Sequence, residues 1–135
     1  LCVGEAMSKT GLAKAIAFGV VDNIGPMGCL VAISGLYLIC SILTEMISNN
    51  AVAAVMGPLA YEMALQFDAN PIPFILAVMF GASASFSTPI GYQTNTYVYN
   101  AGGYKFKDFV KVGLPLNILL WIIFTCTVGW LYPLK

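Results

Sequence analysis

Two short polar stretches interrupt otherwise apolar sequence: Ser48-Asn49-Asn50, and Ser87-Thr88-Pro89-Ile90-Gly91-Tyr92-Gln93-Thr94-Asn95. Side-chain amides, hydroxyls and freed backbone groups are the chemistry they offer. Polar groups in hydrocarbon are tolerated only where they face protein, water or a bound ion. Both stretches also carry residues that stop one helix and start another. Paired helix interruptions of this kind are a sequence pointer to a solute site near the middle of a bilayer.

Asn49 or Asn50 is placed to cap a helix beginning at Ala51, and Thr94 or Asn95 to cap one beginning near Thr96. The remaining N–H groups of both helix starts, with the helix dipole, favour a negative charge. The carbonyl ends of the preceding segments, 27–47 and 74–86, behave oppositely. With the oxygens of Thr44, Ser48 and Asn49 they form a cluster of hard ligands suited to sodium. Pro89 and Gly91 keep the second loop unwound. Neither stretch contains Lys, Arg or His. An anion there would meet only partial charges, so the charge balance calls for a cation beside it.

Each signal has a plainer reading. Ser-Asn-Asn alone suits an ordinary turn, and a lone Thr-Pro-x-Gly suits a kink. The two together, in this order around a hairpin, favour the site. Glu45, one turn before Asn49, either pairs with a backbone or hydroxyl group or acts as a protonatable coupling group. Tyr92 and Gln93 either pack between helices or line the pocket; Tyr97 and Tyr99 read as packing residues.

The elements that must hold these groups are helical. Residues 1–25 read as interfacial and amphipathic, with a turn at Asp22–Pro26. Residues 26–66 read as a helix and a hairpin limb around Ser48–Asn50. The second limb, 51–66, is too short for a full crossing, which needs about 20 apolar residues, so a re-entrant hairpin is expected. A loop is expected from Phe67 to Pro73. Residues 71–103 read as a broken helix whose first half has a small-residue face, Gly81 to Ser85. Residues 104–111 read as an interfacial helix, and 112–134 as the last transmembrane helix, with Trp121 mid-span and Trp130 and Tyr132 in an interfacial belt. Lys105, Lys107 and Lys111 place 104–111 on the cytoplasmic side and the 62–70 loop outside.

Composition sets the class. Of 135 residues, 59% are hydrophobic and 9% charged, against about a quarter charged in soluble domains. The chain reads as an all-α, multi-pass integral membrane protein. Six basic and six acidic residues cancel, and no basic patch exists for nucleic acid. Cys2, Cys29, Cys40 and Cys126 form no C-x-x-C pair and read as small buried hydrophobes rather than a disulfide framework. The chain starts at Leu1 with no basic signal-peptide region and reads as the C-terminal piece of something longer. Without histidine it cannot supply a serine–histidine intramembrane protease. Asp22, Asp68 and Asp108 fall at predicted boundaries, which disfavours an aspartyl one. An enzyme is not expected, nor a cofactor beyond sodium as a coupling ion. An uncoupled channel or structural subunit is the alternative from another class.

The segments TEMISNNAVAAVMGPLA and STPIGYQTNTYVYNAGGYKFKDFVKVGLPLN resemble the divalent anion:sodium symporter family, in its citrate-transporter-like group. The resemblance runs from about Glu5 to Pro133. It implies the C-terminal half of an inverted-repeat elevator transporter, working as a homodimer with an N-terminal repeat that is not in this chain, so the segment alone is expected not to transport. It implies sodium ligands at Thr44, the Ile47 carbonyl, Asn49 and the Gly91 carbonyl. Ser48, Asn49 and Asn50 would face Tyr92 across the anion pocket, with Gln93, Thr94 and Asn95 as further substrate contacts. The family's hairpin usually reads Ser-Asn-Thr, where this chain has Asn50. Its loop commonly reads Gly-Thr-Pro-Pro-Asn, where this chain has Gly91-Tyr92-Gln93-Thr94-Asn95. The latter form resembles a branch of larger permeases that leans towards sulfate and other inorganic anions, beside the dicarboxylates.

Overall fold

The computed structural model describes residues 28–132 without a break, together with Thr10, Gly11, Ala15, Phe18, Gly19 and Asp22. The interfacial segment expected over 1–25, with its turn, otherwise lies outside the described residues. Helix α1 runs Cys29–Thr44, α2 Asn49–Gln66, α3 Pro71–Ser83, α4 Gln93–Gly102 and α5 Phe106–Leu131.

α1 turns tightly into α2, with Glu45 and Met46 N–H groups bonding back to Ile42 and Leu43 carbonyls. α3 lies against both α1 and α2, and α5 packs chiefly on α1. The core is where α1 to α3 meet: Ile33, Tyr37 and Cys40 from α1, Val52, Ala60 and Met63 from α2, Phe74 and Ala77 from α3. Small residues let these helices approach. A Cβ on Gly81 would sit 2.7 Å from the Tyr37 carbonyl oxygen and 2.8 Å from Cys40 Cβ. The small-residue face read at Gly81–Ser85 is therefore a contact surface with α1. α5 is tied to α1 by the Tyr37–Phe124 ring stack, 4.9 Å between centroids, and by Trp121 Nε1 donating to Ser34 Oγ at 2.8 Å. In lipid, helices gain little from hydrophobic exclusion, so close packing and such hydrogen bonds supply the cohesion.

α5, with 26 residues, is the one helix among the described residues long and apolar enough to cross a membrane; α1 and α3 are shorter apolar helices. α3 has 13 residues, about 20 Å at 1.5 Å per residue, against roughly 30 Å of hydrocarbon. The outer face of α5 is apolar: Val112, Ile118, Leu119, Ile122 and Ile123 are all exposed. Cys126 is on that exposed side and Cys29 is half-buried, so among the described cysteines Cys40 alone is the buried hydrophobe that the sequence suggested; Cys2 lies outside the described residues.

Several boundaries differ from the sequence reading, each for a local reason. α3 begins at Pro71 rather than after Pro73, because proline at the first helical position loses only an N–H that would be unpaired. Asn70 there accepts the Ile72 N–H at 3.0 Å. The stretch 104–111 is not a separate interfacial helix. Asp108 accepts the Lys105 N–H at 2.8 Å, which starts a helix at Phe106, and nothing before Pro115 could break it; the helix continues through that proline to Leu131. α4 is longer than expected and ends at Gly103, whose φ of 64° lies in the left-handed region that glycine takes at least cost.

Candidate functional site

The chain between α3 and α4, residues 84–92, is non-helical. Buried irregular backbone must find partners for its N–H and C=O groups. Here they come from the end of α1. The Glu45 carboxylate accepts three successive backbone N–H groups: Phe86 at 3.0 Å, Ser87 at 2.8 Å and Thr88 at 2.8 Å. Thr88 Oγ1 donates to the Glu45 carbonyl at 2.9 Å, and the Gly91 N–H donates to Thr88 Oγ1 at 3.2 Å. Ser85 Oγ donates to the Thr44 carbonyl at 3.2 Å. Successive amides turned inward make an anion-binding concavity, and Glu45 fills it from within the protein.

This docking brings the two polar stretches together. A cleft of about 460 Å³ is lined by Ser48, Asn49 and Asn50 from one and by Ile90, Gly91, Tyr92, Gln93 and Thr96 from the other. These are the first residues of α2 and α4. Neither helix start has a side-chain cap: Ser48 and Tyr92 hold the cap positions without a capping hydrogen bond. The expected caps are therefore corrected. α2 starts at Asn49 rather than Ala51, and α4 at Gln93 rather than Thr96. Asn49 is drawn instead towards Thr44, whose Oγ1 is 2.8 Å from its Oδ1. Asn95 donates Nδ2 to the Ser85 and Thr88 carbonyls, at 2.9 and 3.1 Å. Thr96 turns its hydroxyl onto the Pro89 carbonyl at 2.7 Å. Residues at the starts of two helices without side-chain caps thereby line one cleft, and no charged side chain lines it.

Oxygen atoms gather beside the cleft. Thr44 is fully buried at 0% exposure, and its hydroxyl lies 2.7 Å from the Ala82 carbonyl oxygen as well as against Asn49. A hydroxyl has one proton, so only one of these oxygens can receive it at a time. Gly91 packs here so closely that an added Cβ would strike Ser85 Oγ and sit 3.0 Å from the Thr44 carbonyl oxygen. Thr44 thus meets Asn49 on one side and packs close to Gly91 on the other; hydroxyl, amide and carbonyl oxygens are the kind of ligand a small hard cation takes. No trio of His, Cys, Asp or Glu fit to hold a metal is present among the described residues.

Other expected residues lie outside the cleft lining. Ile47, expected to act through its carbonyl, sits in the turn with its side chain half-exposed and its N–H bonded to the Leu43 carbonyl at 3.0 Å. Thr94 is exposed on the first turn of α4 and also outside the lining. Asn95 points away from the cleft, because the loop behind it consumes its amide. A larger cavity, about 490 Å³, lies between α1, α3 and α5. Phe80, Leu120, Ile123 and Phe124 dominate its walls, and it offers an ion nothing.

Two groups escaped the sequence reading. Ser85 and Thr88 fasten the loop to the end of α1. Asn117, in the middle of α5, donates Nδ2 to Glu45 Oε1 and to Ser87 Oγ, both at 2.9 Å. Its signal was present: 112–134 carries no charge, and an amide in such a span calls for a partner.

Comparisons with known proteins bear on the family of the chain. The citrate transporter family matches residues 1–79. An uncharacterized transporter of Synechocystis is 42% identical over 118 residues, covering 87% of this chain and 19% of the relative. Sodium/sulfate cotransporter 1 of Chlamydomonas reinhardtii is 35% identical over 122 residues, covering 90% of this chain and 14% of the relative. The uncharacterized transporter YfbS of Escherichia coli is 34% identical over 128 residues, 95% of this chain and 21% of the relative. The chain spans about a fifth or less of the length of these relatives. The family match covers more than half of the residues, including the whole α1–α2 turn and most of α3, and the resemblance read from the two polar stretches is borne out: the chain belongs to the citrate transporter family.

Proposed function

We propose that this chain supplies the C-terminal half of the binding site in a carrier that moves a small divalent anion, sulfate-like or dicarboxylate, together with sodium. One observation carries the reading: a single cleft is lined by the uncapped starts of two helices, with neutral oxygen donors packed at its edge. Helix N-termini attract anions. No Lys or Arg lines the cleft to neutralise a dianion, so a cation held at Thr44, Asn49 and Gly91 would offset the repulsion of burying it. The names of sodium/sulfate cotransporters among the relatives support sulfate and sodium.

In this reading α1 with α2 forms the re-entrant hairpin, α3 with α4 the broken helix and α5 the final span. The assembly is a homodimer of longer subunits, each with an N-terminal repeat closing the site, and it moves by an elevator mechanism. Glu45 serves as an internal anion that docks the loop, because all its hydrogen bonds are accepted from fixed donors.

The test is uptake of radiolabelled sulfate and succinate into proteoliposomes holding the full-length protein, with and without an inward sodium gradient. Saturable uptake of either anion that rises with the gradient is expected. Flux that neither saturates nor responds to sodium would favour a channel and overturn the proposal.

A further inference from the structure

We infer that Asn117, on the last helix and outside the cleft, is a positioning residue that sets the sodium and anion site by holding the Glu45–loop junction in place. The inference rests on the cleft being that site, but it stands on separate observations.

Asn117 reaches across 72 residues of sequence to Glu45 and across 30 to Ser87. Both amide protons are used on the same small junction. One turn earlier on the same face, Gly113 lets the α5 backbone lie directly on the loop: a Cβ there would collide with the Phe86 carbonyl group and come within 2.6 Å of Ser87 Cα. Residues four apart share a helix face, so Gly113 and Asn117 form one contact surface. It bears on Phe86 and Ser87, two of the three residues whose N–H groups Glu45 holds.

The amide is retained at a cost. Its oxygen, Asn117 Oδ1, is buried and has no hydrogen-bond partner. An unsatisfied buried acceptor in a native site calls for a reason, and the two donated bonds supply one. Without them, Glu45 Oε1 keeps two of its donors and Ser87 Oγ loses its anchor. The loop then tilts away from α1, and Gly91 moves relative to Thr44 and Asn49. Asn117 acts through Glu45 and Ser87, not on the solute.

The experiment uses the full-length protein in proteoliposomes with two readouts. The first is the sodium concentration giving half-maximal sulfate or succinate uptake. The second is the rate at which a membrane-impermeant thiol reagent labels an Ile90→Cys reporter, in a background without other reactive cysteines; Ile90 lines the cleft and is 70% exposed. Asn117→Leu should raise the half-maximal sodium concentration roughly tenfold, with a smaller change in maximal rate, and change the labelling rate by about the same factor, the scale of one hydrogen bond to a charged group. With Glu45→Gln already present, adding Asn117→Leu should change either readout less than about threefold, since coupled residues are not additive. Asn117→Ser, which keeps one donor, should fall between and serves if Asn117→Leu does not fold. Wild-type values of both readouts in these variants, or effects that simply multiply in the double variant, would overturn the inference. If the wild type takes up neither anion, the reading of the cleft fails and the labelling rates alone decide the role of Asn117.

Discussion

Glu45→Gln is the sharpest perturbation of this site. The substitution preserves shape and removes a charge. In the wild type, Oε1 accepts from Phe86 N, Ser87 N and Asn117 Nδ2, and Oε2 from Thr88 N. A glutamine does best by placing its oxygen at the Oε1 position and keeping three bonds. Its NH₂ then faces the Thr88 N–H, donor against donor. One charge-assisted bond of about 1.5–3 kcal/mol is lost outright, and the other three fall towards the neutral value of about 1 kcal/mol. Against this stands relief from the desolvation of a half-buried carboxylate, several kcal/mol. With central values of these terms the difference is about 2 kcal/mol in favour of the wild type, or roughly 30-fold in the equilibrium between docked and undocked loop. In proteoliposomes the expected result is uptake still driven by sodium, at a half-maximal sodium concentration raised by up to a factor of that order. Wild-type sodium affinity and rate in Glu45→Gln would refute the docking argument. Loss of uptake driven by a proton gradient, with sodium irrelevant throughout, would make Glu45 the coupling group instead.

Three further outcomes follow from the same contacts. Asn49→Ala removes the amide between the Thr44 hydroxyl and the cleft, and uptake should fall at least about tenfold while size-exclusion profile and melting temperature stay near wild type; full activity in a folded variant would remove Asn49 from the site. Gly91→Ala drives a Cβ into Ser85 Oγ, which must leave its bond to the Thr44 carbonyl, so uptake should fall, and adding Ser85→Ala should restore part of it; no rescue would mean that the clash is not the cause. Gly113→Ala meets the backbone carbonyl of Phe86, which cannot rotate away as a side chain can, so the detergent-solubilised protein should lose about 1–3 kcal/mol of stability, read as a lower melting temperature; an unchanged value would show that α5 does not lie on the loop so closely.

Much of the arrangement was legible because it depends on local properties. Gly102-Gly103 marks a helix end by chemistry that acts within a turn; the start of α3 at Pro71, read as loop, did not show itself in the same way. The breaks at Ser48–Asn50 and Ser87–Asn95 were visible because polar groups and proline cannot sit unpartnered in an apolar helix. Which polar group does which task was not visible. Asn49 and Asn95 look alike as cap candidates, yet one faces Thr44 beside the cleft and the other holds the back of the loop. Their neighbours across the fold made that choice, not their own propensities.

The amino-acid order alone determined the class, the two interruptions and the apolar final span. Each follows from hydropathy and helix-breaking chemistry over a few consecutive residues. Only the folded chain decided that the two interruptions share one cleft, that Glu45 serves the loop 41 to 43 residues ahead, and that Asn117 reaches back across 72. Those partnerships arise where α1, α3 and α5 pack side by side, and contacts between distant segments leave no local pattern from which their partners could be read.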